Sequence, residues 1–346
     1  MTNIALVGGG TAGHIMPNIA LLPELEKHFD RVIYIGTEGS MEEKICKSLN
    51  LPFYPTKATK FYRKKAWKNL ALPVTLLRGV KQAKSILKRE HISLVFSKGG
   101  YAAVPTVLAA HFMGIPIVCH ESDRSLGLAN RLTALLSERV YTAFPKTYRK
   151  GVVMPTPIRR EIFNGKSLDL FNDKQKKTLL FMGGSLGAQA INEVLSESYA
   201  ALSDKYNILH ITGKGGMPIH TPSYYALPYA DNIADLFHSA DLVVSRGGAS
   251  TLGELTALGK RVIVIPLPKG ESRGDQEQNA AYYRSQGLVS VLPQSALSAE
   301  TLTAVIDDII LKRAPAPAYD RDTPARLAAE LYEIAKMQHV GASSRA

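Results

Sequence analysis

The chain has 346 residues, of which 45% are hydrophobic and 21% charged, a balance that excludes a disordered or fibrous protein and, at this length, favours two cores over one. Its 2 cysteines, Cys46 and Cys119, exclude a disulfide framework and a zinc array and point to a reducing compartment. The net charge of +12 is local, because residues 44–89 hold 13 Lys and Arg and no Asp or Glu, against 29 basic and 30 acidic groups elsewhere, so one anionic surface is the expected partner there.

No signal peptide is expected, since Met1-Thr2-Asn3 passes straight into strand-like residues 4–7. The apolar region 104–118 is interrupted by Pro105, His111, Gly114 and Pro116 and falls short of the ~20 residues a bilayer requires.

Residues 4–7 run into Gly8-Gly9-Gly10-Thr11-Ala12-Gly13, which matches G-x-G-x-x-G and opens a helix with Ile15, Ile19, Leu22 and Leu25 as its buried stripe. A strand, a glycine turn and a helix N-terminus together present backbone N–H groups to phosphate. Glu38, after strand 32–35, stands near the place of a ribose-binding acid, so an NAD(P)- or FAD-dependent oxidoreductase is one reading. His14 is either a local hydrogen-bonding residue of the helix start or a residue of a ligand cleft.

From Thr56 the pattern changes. Lys60, Phe61, Tyr62, Arg63, Lys64, Lys65, Trp67 and Lys68 interleave aromatics with cations, and Leu70, Leu72, Val74, Leu76, Leu77 and Val80 lead into a basic helix through Arg89. An anionic bilayer, nucleic acid, or a plain solvated helix face each fits; the clustered aromatics favour the bilayer.

Strand 94–97 precedes Lys98-Gly99-Gly100-Tyr101 and a helix with Val104, Val107, Leu108 and Phe112 on its buried side. Strand 115–119 ends in His120-Glu121-Ser122-Asp123, where His120 and Glu121 are either acid/base apparatus or a hydrogen-bonded pair shaping the loop before the helix near Asn130. Cys119 beside His120 does not make a nucleophile pair, because adjacent strand residues face opposite sides. Strand 140–143 closes the first half, residues 152–159 with two prolines read as a connector, and polar residues 164–177 extend it.

The second half repeats the pattern. Strand 179–182 precedes Gly183-Gly184-Ser185-Leu186-Gly187 and a helix whose exposed part begins at Asn192; strand 207–212 leads to Gly213-Lys214-Gly215-Gly216; a short strand at 225–229 and a helix at 231–239 follow. Residues 242–244 form a strand before Gly247-Gly248. The next helix is expected to start at Thr251, with Glu254 completing a T-x-x-E capping box, and to stop at Gly259 before strand 262–265. The polar loop 266–279 offers Gln276 and Asn279 to sugar hydroxyls. Asp320-Arg321-Asp322, in a proline-rich loop, reads as surface and not as a metal site, and a helix covers residues 325–337. Ligands of open parallel sheets bind beyond the carboxyl ends of the strands, so an α/β chain of two such halves is expected to enclose a cleft.

Taken together, GGGTAGHIMPNIAL at Gly8, SKGGY at Ser97, HESDRSLGLAN at His120, TPIR at Thr156, GGSLGAQAIN at Gly183, SRGGASTLGEL at Ser245 and DQEQNA at Asp275 resemble the bacterial peptidoglycan N-acetylglucosaminyltransferases. The resemblance implies the GT-B fold, with two Rossmann-like domains at 1–158 and 159–329 whose parallel sheets face across a cleft, and a C-terminal helix, 330–346, returning to the first. It implies inverting transfer of N-acetylglucosamine from UDP-GlcNAc to an undecaprenyl-diphosphate-linked muramoyl-pentapeptide, in cell-wall synthesis and hence cell shape and division. Neither cofactor, metal nor nucleic acid is implied, and the expected place is the cytoplasmic face of the cell membrane, held peripherally by the basic aromatic segment.

By the same resemblance Thr11, Ala12, Gly13 and His14 face the acceptor diphosphate and transferred sugar, with Gly100 and Tyr101 on the acceptor side. Arg159 and Ser185 reach the donor diphosphate, Glu254 the ribose, Gln276 the sugar hydroxyls, and Ala230 the uracil; Asn192 lies near the cleft. His14 is the first candidate for the base, with His120 and Glu121 second. Two departures stand out: Asp123 replaces an Asn that contacts donor sugar in many relatives, and Ala12 replaces a common Gly. The rivals are the oxidoreductase and a non-catalytic basic binding module.

Overall fold

Ile4, Ala5, Leu6 and Val7 are all fully buried, as a continuous apolar run requires of a parallel strand covered by helices on both faces. In the computed structural model, which describes residues 1–59, 72–184 and 187–343, the chain forms two units, Met1–Arg159 with Asp320–Ala346, and Arg160–Tyr319. Ser185 and the segment Lys60, Phe61, Tyr62, Arg63, Lys64, Lys65, Trp67 and Lys68 lie outside the described residues.

The first unit runs β1 (Asn3–Val7), α1 (Ala12–Leu25), β2 (Arg31–Gly36), α2 (Met41–Ser48), β3 (Phe53–Pro55), α3 (Leu72–Arg89), β4 (Ile92–Ser97), α4 (Val104–Phe112), β5 (Ile117–Glu121), α5 (Leu128–Leu136), β6 (Arg139–Thr142) and β7 (Val152–Val153). Its sheet has the order β3-β2-β1-β4-β5-β6-β7, parallel throughout. The second runs β8 (Thr178–Met182), α6 (Gln189–Lys205), β9 (Asn207–Ile211), β10 (Ile219–Thr221), β11 (Tyr224–Leu227), α7 (Ile233–Ser239), β12 (Leu242–Ser245), α8 (Ala249–Ala257), β13 (Arg261–Val264), α9 (Asp275–Ser285), β14 (Ser290–Val291) and α10 (Ala299–Leu311). Its order is β10-β11-β9-β8-β12-β13-β14, with only β10 antiparallel. The central strands of both sheets thus follow one doubly wound order.

α11 (Thr323–Ser343) closes the first unit. Leu327, Leu331 and Ile334 join the core of Ile4, Leu21, Leu25 and Phe96, the Tyr332 ring meets Phe29 edge-on, and Tyr141 donates from its hydroxyl to the Glu330 carboxylate. The unit boundaries fall after Arg159 and Tyr319, against 158 and 329 in the sequence reading; the first turn of α11 is already part of the first unit, with Thr323 and Leu327 fully buried.

Several local expectations are corrected. α8 starts at Ala249 on Gly248, whose backbone is extended and which has no side chain to accept from the helix N–H groups, so Thr251 and Glu254 form no capping box. Its end is as expected: Gly259 has φ +65°, its N–H bonds Thr256 O and that of Lys260 bonds Leu255 O. The capping box stands instead at Ser298 and Thr301 on α10. β5 extends through His120 and Glu121, which are therefore strand residues and not loop residues. Phe112, expected inside, is 64% exposed at the end of α4, with the Lys84 ammonium 5.4 Å from its ring centroid. Residues 152–153 of the connector add a seventh strand.

Candidate active site

In each sheet the strand order reverses once, between β1 and β4 in the first unit and between β8 and β12 in the second, and the crevice outside such a switch point is where doubly wound sheets bind ligands. The glycine turns stand at these two places.

In the first unit the two turns pack against each other. A Cβ on Gly100 would lie 2.2 Å from Gly9 O, and one on Gly10 would lie 2.8 Å from the Tyr101 ring; both residues have positive φ, so only glycine fits. Tyr34 donates from its hydroxyl to Gly8 O at 2.6 Å, which pins the first turn to β2. α1 begins with Ala12, on Thr11, whose side chain caps no backbone N–H. That hydroxyl instead lies 3.1 Å from His14 Nδ1, on a half-buried ring. Thr11, Ala12, Gly13, His14, Gly100 and Tyr101 are thereby brought to one end of one sheet, at the N-terminus of α1, whose first turn holds no acidic residue.

His120 and Glu121 lie behind this surface. The His120 ring is fully buried: its Nε2–H donates to Met154 O at 3.1 Å, so Nδ1 accepts from Lys98 Nζ at 2.6 Å. Burial and the Lys98 charge hold the ring neutral, well below the usual histidine range. Glu121 accepts from the backbone N–H groups of Asp123 and Gly127 and from Asn130 Nδ2, each at 2.9 Å. The pair shapes the loop before α5, and neither side chain presents an atom to solvent for proton transfer. Asp123 sits in that loop, half-buried.

In the second unit, α8 starts at the switch point without a side-chain cap, and no acid in its first turn offsets its positive dipole end. Gln276 Oε1 accepts from both Gly247 N (3.2 Å) and Leu267 N (3.0 Å), and Asn279 Nδ2 donates to Gly247 O (3.1 Å), so the loop before α9 is laced to the turn before α8. Glu254, the sixth residue of α8, is half-buried. Asn192 is occupied elsewhere: its Nδ2 donates to Thr212 O (2.8 Å) and its Oδ1 meets His210 Nε2 (3.0 Å). Burial pushes His210 down to about 4, so that ring is neutral and joins α6 to the end of β9. Ala230 lies between β11 and α7, and among the described residues no hydrogen bond ties it to the others. Arg159 ends the connector, half-buried.

Two cations escape a reading of the sequence. Lys98 is 1% exposed, and Arg246, directly before Gly247-Gly248, donates to Ile265 O (3.1 Å) and Gln294 Oε1 (2.6 Å). Their only signal is position, each at a strand end before a glycine pair. A cavity of about 790 Å³ lies on another face of α9, lined by Pro266, Pro268, Ala281, Arg284 and Pro293, and none of the expected site residues touches it.

Two doubly wound units, each with an uncapped helix N-terminus and glycine turn at its switch point, make this a GT-B glycosyltransferase fold. Residues 4–142 match the glycosyltransferase family 28 N-terminal domain and residues 178–337 its C-terminal domain, and the chain belongs to that family. It is 39% identical over 324 residues to the UDP-N-acetylglucosamine--N-acetylmuramyl-(pentapeptide) pyrophosphoryl-undecaprenol N-acetylglucosamine transferase of Clostridium novyi (strain NT), covering 90% of this chain and 91% of that one. The transferase of the same name from Clostridium botulinum (strain Langeland / NCTC 10281 / Type F) is 41% identical over 316 residues, 87% of this chain and 89% of that one. Among solved structures, Acinetobacter baumannii MurG superposes with a TM-score of 0.69 at 26% identity, over 96% of this chain and 95% of that one. These findings give the oxidoreductase reading no support, and Glu38 is 72% exposed and paired with Lys57 at 3.2 Å.

Proposed function

We propose that this glycosyltransferase moves N-acetylglucosamine from UDP-GlcNAc to undecaprenyl-diphospho-muramoyl-pentapeptide, with inversion, in peptidoglycan synthesis. The observation that carries the reading is the near-full-length similarity to transferases named for that reaction, on a chain that keeps a glycine turn at both switch points.

In this reading the muramoyl hydroxyl attacks the anomeric carbon from the face opposite UDP. The new C–O bond forms as the bond to the UDP oxygen breaks, and the hydroxyl proton passes to His14 Nε2, while Thr11 holds Nδ1. His14 is preferred over His120 and Glu121 because those two side chains are buried and already bonded. The turn around Gly100 and Tyr101 receives the acceptor diphosphate. On the donor, Arg159, Ser185 and the N-terminus of α8 stabilise the departing UDP anion without a metal, Glu254 takes the ribose, Ala230 the uracil and Gln276 Nε2 the sugar hydroxyls. Asn192 serves as a strut for the 212–216 loop.

The enzyme docks peripherally on the cytoplasmic face of the cell membrane. Among the described residues no helix is long and apolar enough to cross a bilayer. Val74, Leu77 and Phe112 are 52%, 70% and 64% exposed on α3 and α4, and Arg78, Lys81, Lys84 and Lys88 share the exposed side of α3, a pattern suited to an anionic interface. The segment from Lys60 to Lys68 precedes this surface in sequence. The deciding assay is UDP release from UDP-GlcNAc with and without the lipid-linked acceptor: release that depends on acceptor is expected, and its absence overturns the reading.

A further inference from the structure

Lys98 is a full-length cation in the interior of the first unit, at the carboxyl end of β4 and one residue before Gly99-Gly100. Its Nζ donates to His120 Nδ1 at 2.6 Å and to Ser122 Oγ at 2.7 Å; Ser122 Oγ also accepts from Thr156 Oγ1 at 3.1 Å. Its backbone N–H bonds Val7 O at 2.9 Å, and a Cβ on Gly8 would lie 3.1 Å from its own Cβ. The residue therefore links the end of β1, through its backbone, to β5 and the loop after it, through its ammonium, and by way of Ser122 to the connector at Thr156.

Among the described residues no carboxylate hydrogen-bonds the ammonium. The titratable groups around it are Cys119, His120, Glu121 and Asp123, on β5 and its loop; the Glu121 carboxylate is spent on Asp123, Gly127 and Asn130. The connector contributes the Met154 carbonyl and the Pro155 backbone, through His120, and the Thr156 hydroxyl, through Ser122, while α11 brings Arg326, whose guanidinium lies 4.0 Å from Met154 Sδ. Glu121 and Asp123 favour the charged form through space but do not offset the cost of burial, and an anion bound nearby would offset more of it.

We propose that Lys98 is a positioning residue for the acceptor diphosphate: it supplies, from behind the paired glycine turns, the positive charge that the bound anion completes, so that acceptor binding and protonation of Lys98 are coupled. This rests on the transferase reading for the identity of the anion. In the free enzyme, burial pushes the Lys98 ammonium down to about 7. An anion at the turns favours the charged form, so wild-type acceptor KM rises with pH above neutrality and binding takes up a proton there. A coupling of one pH unit corresponds to ~10-fold in affinity.

The test compares wild type with Lys98→Met and Lys98→Arg. At pH 6.5 Lys98→Met is expected to raise acceptor KM ~10-fold with donor KM unchanged, and to flatten the pH dependence. Should Lys98→Met fail to fold, Lys98→Arg decides, since its charge is fixed: a KM flat with pH supports coupling, and a KM rising as in wild type overturns it. Wild-type acceptor KM and pH profile in Lys98→Met also overturn it. Calorimetric titration of undecaprenyl diphosphate at pH 7.5 in two buffers of different ionisation enthalpy reads proton uptake without turnover. Uptake in wild type and not in Lys98→Met supports the coupling even if transfer is never seen, whereas transfer without that difference leaves the enzyme reading intact and sinks the role of Lys98.

Discussion

Thr11 Oγ1 lies 3.1 Å from His14 Nδ1, and that contact orients the ring at the start of α1. Removing the ring in His14→Ala is expected to lower kcat by ~10²- to 10⁴-fold with little change in donor KM, the scale of a lost general base. Thr11→Val keeps the ring but not its tether, and a smaller loss, ~10-fold, is expected. Steady-state UDP release measures both; a His14→Ala enzyme with normal kcat would move the base elsewhere.

Gly100 and Gly39 separate backbone strain from crowding. Both have positive φ, +80° and +70°, yet a Cβ at Gly100 would meet Gly9 O at 2.2 Å while one at Gly39 would meet nothing within 4 Å. Gly39→Ala is expected to cost only the left-handed penalty, ~1–2 kcal/mol, with activity kept. Gly100→Ala must also push the two turns apart, so a larger fall in Tm and a loss of acceptor-dependent turnover are expected. Thermal melts and acceptor KM of the two variants check this.

Burial of Lys98 also sets a pH dependence of stability. Its folded pKa, about 7, lies below the ordinary lysine value of 10.5, so between these values the unfolded chain binds the extra proton and stability rises with pH. The penalty is full below pH 7 and relieved as pH climbs towards 10.5, by at most ~1.4 kcal/mol per pH unit. Denaturant unfolding of wild type from pH 7 to 10 is expected to gain stability relative to Lys98→Met; parallel curves would contradict the assignment.

Liposome binding is expected to need anionic lipid and to weaken with salt, since each cation at such a surface contributes ~1 kcal/mol, screened by added salt. Leu77→Ser with Phe112→Ser should weaken it, as should removal of Phe61, Tyr62 and Trp67. Flotation that ignores all five changes would place the docking surface elsewhere.

The sequence showed what local periodicity and glycine chemistry encode. The strands before each turn, the stripe of Ile15, Leu22 and Leu25 and the stop at Gly259 all appear as read, because each depends on neighbours within a few residues. What it could not show depends on distant partners. Lysine reads as solvated, and Lys98 is buried only because β5 and Thr156 close over it, 22 to 58 residues away. Thr251 and Glu254 have capping-box spacing, but Gly248 lets α8 begin two residues earlier, and the true box uses Thr301 in place of a Glu. The Gln276 oxygen also accepts from Gly247 and Leu267, a bracing role that becomes visible only when α9 and α8 are set side by side.

α11 seals the core around Leu21 and Phe96, yet it follows the whole of Arg160–Tyr319 in the chain. On the ribosome the first unit therefore lacks its closing helix while those ~160 residues are made, roughly 10 to 30 s at ~5–20 residues per second. For that interval the surface that Leu327 and Leu331 later cover stays bare on a nascent chain. A chaperone that shields it would act on this protein before its synthesis ends.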